Sequence, residues 1–246
     1  MSFGARVYEH NAHGDVSSWT EAGATTTLTY DVQGNLLAVH LPNLDVVSYQ
    51  VDGRNRRIRR LVNGVATHGY LYHGQLRPVA ELDGAGNIVS RFVYGVRGVA
   101  PEYMIRGGTT YRLLTDHLGS VRFVVNAGDG TIAQRIDYDA WGVVTADTNA
   151  GFQPFGFAGG LYDPTTSLVR FGFRDFDATI GRWLAKDPIE FSGGDSNLYA
   201  YVGNTPNLAI DPTGLQDSSI PWSVGWEWVT GGGRSQPRVY RWRSIY

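Results

Sequence analysis

The sequence predicts an all-β protein in which a row of short hairpins leads into a glycine- and aromatic-rich end-plug. Three observations carry this. Apolar and polar residues alternate from Thr26 to Val144, the period of a half-buried strand. Turn signals of the form Asp-x-x-Gly recur between the alternating runs. The aromatic residues Tyr30, Tyr49, Tyr70, Phe92 and Tyr111 are spaced about 20 residues apart, which marks a repeat architecture where each hairpin buries its face on its neighbours.

Taken in order, Thr26–Tyr30 runs into Asp31-Val32-Gln33-Gly34-Asn35 and then Leu36–Val39, a hairpin with its turn. Tyr49–Arg54 precedes Ile58–Val62, and Tyr70–Gly74 precedes Val79–Leu82. Asp83-Gly84-Ala85-Gly86-Asn87 turns into Ile88–Gly95. Val121–Asn126, Gly128-Asp129-Gly130 and Ile132–Tyr138 form the clearest hairpin. Near Gly151 the texture changes: Phe152, Phe155, Phe157, Tyr162, Phe171, Phe173, Phe176 and Trp183 crowd together, punctuated by Asp163-Pro164, Asp187-Pro188 and Asp211-Pro212. A short helix is expected only around Ser196 to Val202. The division expected is 1–150 for the hairpins, 151–215 for the end-plug and 216–246 for a variable tail. That tail holds four of the seven tryptophans, a triple-glycine break and four arginines.

Composition narrows the function classes. A net charge of -2 favours neither nucleic acid nor an anionic membrane surface. No cysteine is present, which excludes disulfides, thiolate metal sites and a cysteine nucleophile. No apolar run reaches the length of about 18 residues that a membrane-spanning helix needs, and Met1 to Asn11 shows no apolar core of a signal peptide. The cluster Arg54, Arg56, Arg57, Arg59 and Arg60 would be split by alternation across both faces of a strand, and is expected to form a solvated edge that resists pairing.

Several ordered motifs resemble the Rhs/YD-repeat family. Tyr30-Asp31-x-x-Gly34-Asn35 and Tyr138-Asp139-Ala140-Trp141-Gly142 look like YD repeats. Asp116-His117-Leu118-Gly119-Ser120-Val121-Arg122, Arg174–Asp177 through Gly181-Arg182-Trp183 to Asp187-Pro188-Ile189, and Asn197–Pro206 followed by Asp211-Pro212-Thr213-Gly214-Leu215 look like the family's core. The resemblance covers roughly Thr26 to Leu215. It implies a YD-repeat β-hairpin spiral, here a partial shell, closed by a core end-plug. It implies an aspartyl-type autoprotease that cuts after Asp-Pro-x-Gly-Leu and frees a C-terminal segment in the toxin position.

Two neighbouring carboxylates suit that chemistry, because like charges at short range cannot both ionise, leaving one acid and one base. By resemblance the catalytic carboxylates are Asp175 and Asp187, with Arg174 as the adjacent cation. The cleavage site is Asp211, Pro212, Gly214, Leu215 and Gln216, cut between Leu215 and Gln216. Gly214 lets the backbone approach closely and Pro212 stiffens it. Asp177 competes with Asp175, since in a strand the two share a face; it also suits a cap of the turn toward Gly181.

No cofactor or metal is implied. The implied partners are the chain's own C-terminal segment, upstream repeats or a secretion-system component, with no nucleic acid. A bacterial protein, cytoplasmic until exported by a specialised system, is the corresponding expectation. The alternative is a structural or cell-surface-binding β-repeat module whose protease site is vestigial. The family's shells hold more repeats than this chain, so an uncovered inner face and an aggregation-prone chain are also expected.

Overall fold

The computed structural model describes residues 2–3, 6–95 and 99–219. Fifteen antiparallel strands pair in chain order into one sheet. They are β1 (Ser2–Phe3), β2 (Arg6–His10), β3 (Val16–Glu21), β4 (Ala24–Tyr30), β5 (Leu36–His40), β6 (Val46–Val51), β7 (Arg57–Val62), β8 (Val65–His73), β9 (Arg77–Asp83), β10 (Ile88–Val93), β11 (Tyr103–Arg106), β12 (Thr109–Thr115), β13 (Val121–Asn126), β14 (Ile132–Tyr138) and β15 (Val144–Asp147).

One turn chemistry is reused along the sheet. Between β4 and β5, Asp31 Oδ1 accepts the N–H groups of Gln33 (2.8 Å) and Asn35 (2.9 Å), and Asn35 Nδ2 donates back to Asp31 Oδ2. Gly34 sits at a φ of +81°, a left-handed conformation that costs an L side chain about 1–2 kcal/mol. Asp52, Asp83, Asp116 and Asp139 repeat the pattern, and Asn11 does so with an amide oxygen. In the Asp52 turn Asn55 takes the left-handed position, as asparagine tolerates. The register shifts beside the Asp31 turn, between Thr29 and Tyr30; such a bulge adds local twist. The YD aspartate is therefore a turn former. Asp31→Ala should lower stability by about 1–3 kcal/mol, because it strips the acceptors from the part-buried backbone and side-chain N–H groups of Asn35 as well as from the exposed Gln33 N–H. Urea unfolding measures this, and an unchanged midpoint would refute the turn's role.

The end-plug packs on the inner face of the sheet. Its strands β16 (Leu161–Asp163), β17 (Leu168–Phe171), β18 (Arg174–Asp177) and β19 (Arg182–Trp183) form a second antiparallel sheet, and β20 (Ala209–Ile210) pairs with β21 (Ser218–Ser219). Leu168 and Leu184 pack with Tyr8, Trp19, Leu28, Leu36, Val39, Val47 and Tyr49 of the first hairpins. Phe155 packs with Phe92, Met104, Leu113, Val121 and Val124 further along. Between them Phe157, Phe171, Phe176, Trp183 and Tyr201 form the plug's own core. The spaced aromatics are anchors in this packing: Tyr49, Tyr70 and Phe92 are buried, and Tyr30 and Tyr111 pack partly buried against the clusters.

Three expectations need correction. Around Ser196–Val202 the only helical piece is a 3₁₀ turn, Val202–Asn204, which begins where the expected helix ends. The carbonyls of Leu198 and Tyr199 accept instead from the N–H groups of Asp187 and Trp183, so they are spent across the plug and not along a helix. The arginine cluster is not an edge, since β7 lies between β6 and β8; Arg57 is buried and Arg60 pairs with Asp163 at 2.7 Å. The inner face of the first hairpins is not bare, because Tyr8, Val16 and Trp19 are buried beneath Leu184 and its neighbours. The tail from residue 220 onward lies outside the described residues.

Candidate functional site

Strand alternation decides which β18 residues can meet. Arg174 and Phe176 share one face, Asp175 and Asp177 the other. On the first face, Arg174 lies over the Trp183 ring, 4.3 Å from its centroid. Its Nε donates to the Gly214 carbonyl and its Nη1 to the Leu198 carbonyl (3.2 Å). Its Nη2 reaches Asp187 Oδ2 at 2.9 Å and Asp211 Oδ2 at 3.5 Å. One buried guanidinium thus joins two carboxylates.

Both carboxylates are aimed by the turn chemistry that builds the hairpins. Asp187 Oδ1 accepts the Ile189 N–H (3.0 Å), which leaves Oδ2 for Arg174. Asp211 Oδ1 accepts the Thr213 hydroxyl (2.8 Å) and the N–H groups of Gly214 (2.8 Å) and Leu215 (3.2 Å), which leaves its Oδ2 for Arg174. Pro188 and Pro212 hold their preceding aspartates extended. Gly214 is at a φ of +70°, and a Cβ there would collide with the Phe171 carbonyl and the Arg174 amide, so only glycine lets this loop lie against β18.

Burial raises both carboxyls. Burial pushes the Asp187 carboxyl above the usual aspartate range, against the opposing pull of the Ile189 N–H and Arg174. Burial likewise pushes Asp211 up, against its hydrogen bonds and Arg174. Burial also pulls Arg174 down from its usual value. A cleft of about 360 Å³ opens beside the group, lined by Arg174, Asp187, Gly193, Asp211, Leu215 and Gln216. Among the described residues no group of three or more His, Asp or Glu side chains is placed to hold a metal ion.

The structure brings Arg174, Asp187, Asp211, Gly214, Leu215 and Gln216 together, but does not bring Asp175 to Asp187. The Asp175 carboxylate is buried on the opposite face, held by Arg57 and Arg170, each at 2.9 Å. Asp177 pairs with Arg6 at 3.0 Å and caps the Thr179 N–H at 2.9 Å. Asp211, read from the sequence as part of the cleavage motif, is the carboxylate that partners Asp187. Both residues head an Asp-Pro pair, but so does Asp163, which pairs with Arg60 elsewhere, so the sequence alone did not single out Asp211.

Comparison with known proteins supplies the family. The profile of the Teneurin YD-shell family matches residues 1–206. The chain belongs to the YD-shell family. The tRNA3(Ser)-specific nuclease WapA of Bacillus spizizenii is 32% identical over 197 residues, 76% of this chain and 8% of that protein. Teneurin-3 of Danio rerio is 28% identical over 72% of the chain and 7% of its own length. Double-stranded DNA deaminase toxin A of Burkholderia cenocepacia is 29% identical over 86% of the chain and 17% of that toxin. The chain therefore spans a small part of the relatives it matches. Among solved structures, the TcdB2-TccC3 crystal structure superposes with a TM-score of 0.66 at 22% identity, covering 84% of the chain and 11% of its own, a likeness of fold. The hairpin sheet and plug are thus the YD-shell architecture expected from the repeats.

Proposed function

We propose that this YD-shell segment cuts itself once, between Leu215 and Gln216, using Asp187 and Asp211 with Arg174 between them. One observation carries this reading: the Leu215–Gln216 bond lies in a cleft beside two carboxylates that share one guanidinium. With one carboxyl protonated and the other ionised, the ionised group takes a proton from water as the water oxygen adds to the Leu215 carbonyl carbon. The protonated group then gives its proton to the Gln216 nitrogen as the C–N bond breaks. We assign the base to Asp187, whose Oδ2 and the Leu215 carbonyl oxygen both border Gly193, and the acid to Asp211, which heads the loop that carries the bond. Arg174 keeps the pair from holding two protons.

The products are a shell ending at Leu215 and a released segment beginning at Gln216. Relatives named as a nuclease and a deaminase toxin support a toxin position for whatever follows Leu215. By the same reading the protein is bacterial, stays in the cytoplasm until a specialised system exports it, and assembles with further shell repeats or toxin components. Mass spectrometry of the purified chain tests the cleavage: a product ending at Leu215 is expected. A folded chain that persists at full length sinks it in favour of a structural module.

The pH dependence follows from the raised carboxyls. An aspartate ordinarily titrates at about 3.9, and burial raises both carboxyls, so the proton on the acid is retained above that pH. Cleavage should be fastest at mildly acidic pH and slow as pH rises through the raised values, when the acid is lost. Stability has the same sign: the folded state binds these protons more tightly, so their contribution is full below the ordinary value and fades as pH rises through the folded one. A rate that climbs steadily from pH 5 to 9 would contradict this assignment.

A further inference from the structure

The buried charges at the joint between sheet and plug do not balance. Arg57 of β7 and Arg170 of β17 are 4% and 3% exposed, and both bind the one carboxylate of Asp175, at Oδ1 and Oδ2. The neighbouring carboxylate, Asp163, is taken by Arg60. Three guanidiniums thus face two carboxylates. Tyr72 does not make up the difference: its hydroxyl donates to the Arg57 carbonyl, and burial pushes its pKa up to about 12, so it stays neutral. A buried charge without a counter-charge is costly.

The same two arginines have N–H groups to spare. Arg170 spends Nη1 on Asp175 and Nη2 on Asn35 Oδ1 and the Asn55 carbonyl, and Arg57 spends Nη2 on Asp175. The Nε of each is buried and has no hydrogen-bond partner among the described residues. Both residues line a cavity of about 50 Å³, room for one or two water molecules. The third arginine of the lining, Arg56, is already matched by Asp52 and the Gly74 carbonyl. Among the described residues no aspartate or glutamate lines this cavity.

We propose that the cavity binds one monatomic anion, chloride in the cell, between Arg57 and Arg170. Water would satisfy the spare N–H groups and leave the excess charge in place, whereas a halide answers both, through charge-assisted hydrogen bonds. The volume suits a single halide and is too small for a tetrahedral oxyanion. Tyr72 walls the cavity from the sheet, and Gly172 and Pro212 wall it from the plug. The ion is therefore bound only when the plug is docked, and it stabilises that arrangement.

The test uses the full chain, and neither of its readouts depends on whether the chain cuts itself. The chain is melted in sodium chloride raised from about 1 to about 100 mM, with sodium gluconate holding the ionic strength fixed so that screening is constant. The melting temperature should rise by about 3 °C or more, as for a ligand that binds only the folded state. Arg57→Met leaves Arg170 and Asp175 as a matched pair, so it should fold and lose the chloride response. Arg54→Gln, which changes an exposed arginine outside the cavity, should keep it. A crystal of the parent soaked in bromide gives the direct readout, which stands even if Arg57→Met fails to fold: an anomalous peak within hydrogen-bond reach of both Arg57 and Arg170. A cavity that holds only water after the soak, or a chloride response that folded Arg57→Met retains, overturns the proposal. A bromide peak with no chloride response of the parent in solution marks an adventitious ion only, and overturns it as well.

Discussion

Asp187→Asn and Asp211→Asn should each stop processing at Leu215–Gln216, slowing it by roughly 10²–10⁴-fold, the usual contribution of one positioned acid or base. Asparagine keeps the shape of aspartate and an Oδ1 acceptor, so the N–H groups of Ile189 in one case and of Gly214 and Leu215 in the other stay satisfied. What is lost is the ability to carry a proton. One carboxylate also remains opposite Arg174 in each variant, so the guanidinium is not left without a counter-charge. The fold should therefore survive while the chemistry does not. Intact mass against time, with near-ultraviolet circular dichroism as the control, reads both. Wild-type processing in folded Asp211→Asn would remove that residue from the mechanism and return attention to Asp175.

The shell was largely legible because its information is local. An aspartate that bonds to N–H groups two and four residues on, with glycine at the left-handed position, writes each turn into five consecutive residues. Alternation then sets the buried face of each strand. The site was legible only as a set of motifs. Which carboxylate meets Asp187 depends on Arg174 facing away from Asp175 on β18, and on where residues 211–215 return to that strand. Alternation alone could have separated Arg174 from Asp175. It could not have shown that Arg57 and Arg170 wait on the other face, more than a hundred residues from one another in the chain. The same blindness to long-range pairing made the arginine cluster at Arg54–Arg60 look like an edge, when β7 is internal and two of its arginines are held by plug carboxylates. The helix expected near Ser196 shrinks to the 3₁₀ turn Val202–Asn204 for a related reason: the carbonyls of Leu198 and Tyr199 have partners in Asp187 and Trp183 that no local pattern displays.

Asp175 should then prove a residue of the fold. Its carboxylate is 2% exposed and is the counter-charge of two buried arginines, Arg57 and Arg170. Arg57 also lies 3.5 Å from the centroid of the Tyr49 ring, and Arg170 donates to Asn35 Oδ1 in the β4–β5 turn at 2.7 Å. This cluster ties the plug to the sheet. Removing one partner of a buried ion pair leaves an uncompensated charge, which costs about 3–5 kcal/mol; here Asp175→Asn would leave two cations facing each other. Expected is a large fall in the denaturant midpoint, with processing lost only in proportion to the unfolded fraction. Because the damage is uncompensated positive charge, Asp175→Asn combined with Arg170→Met should regain part of the stability, the non-additivity that a double-mutant cycle detects. The same rescue should restore processing if Asp175 serves only the fold. An Asp175→Asn chain that melts like the parent yet stays uncut would instead put this carboxylate in the chemistry, and would require the plug to rearrange before it cleaves.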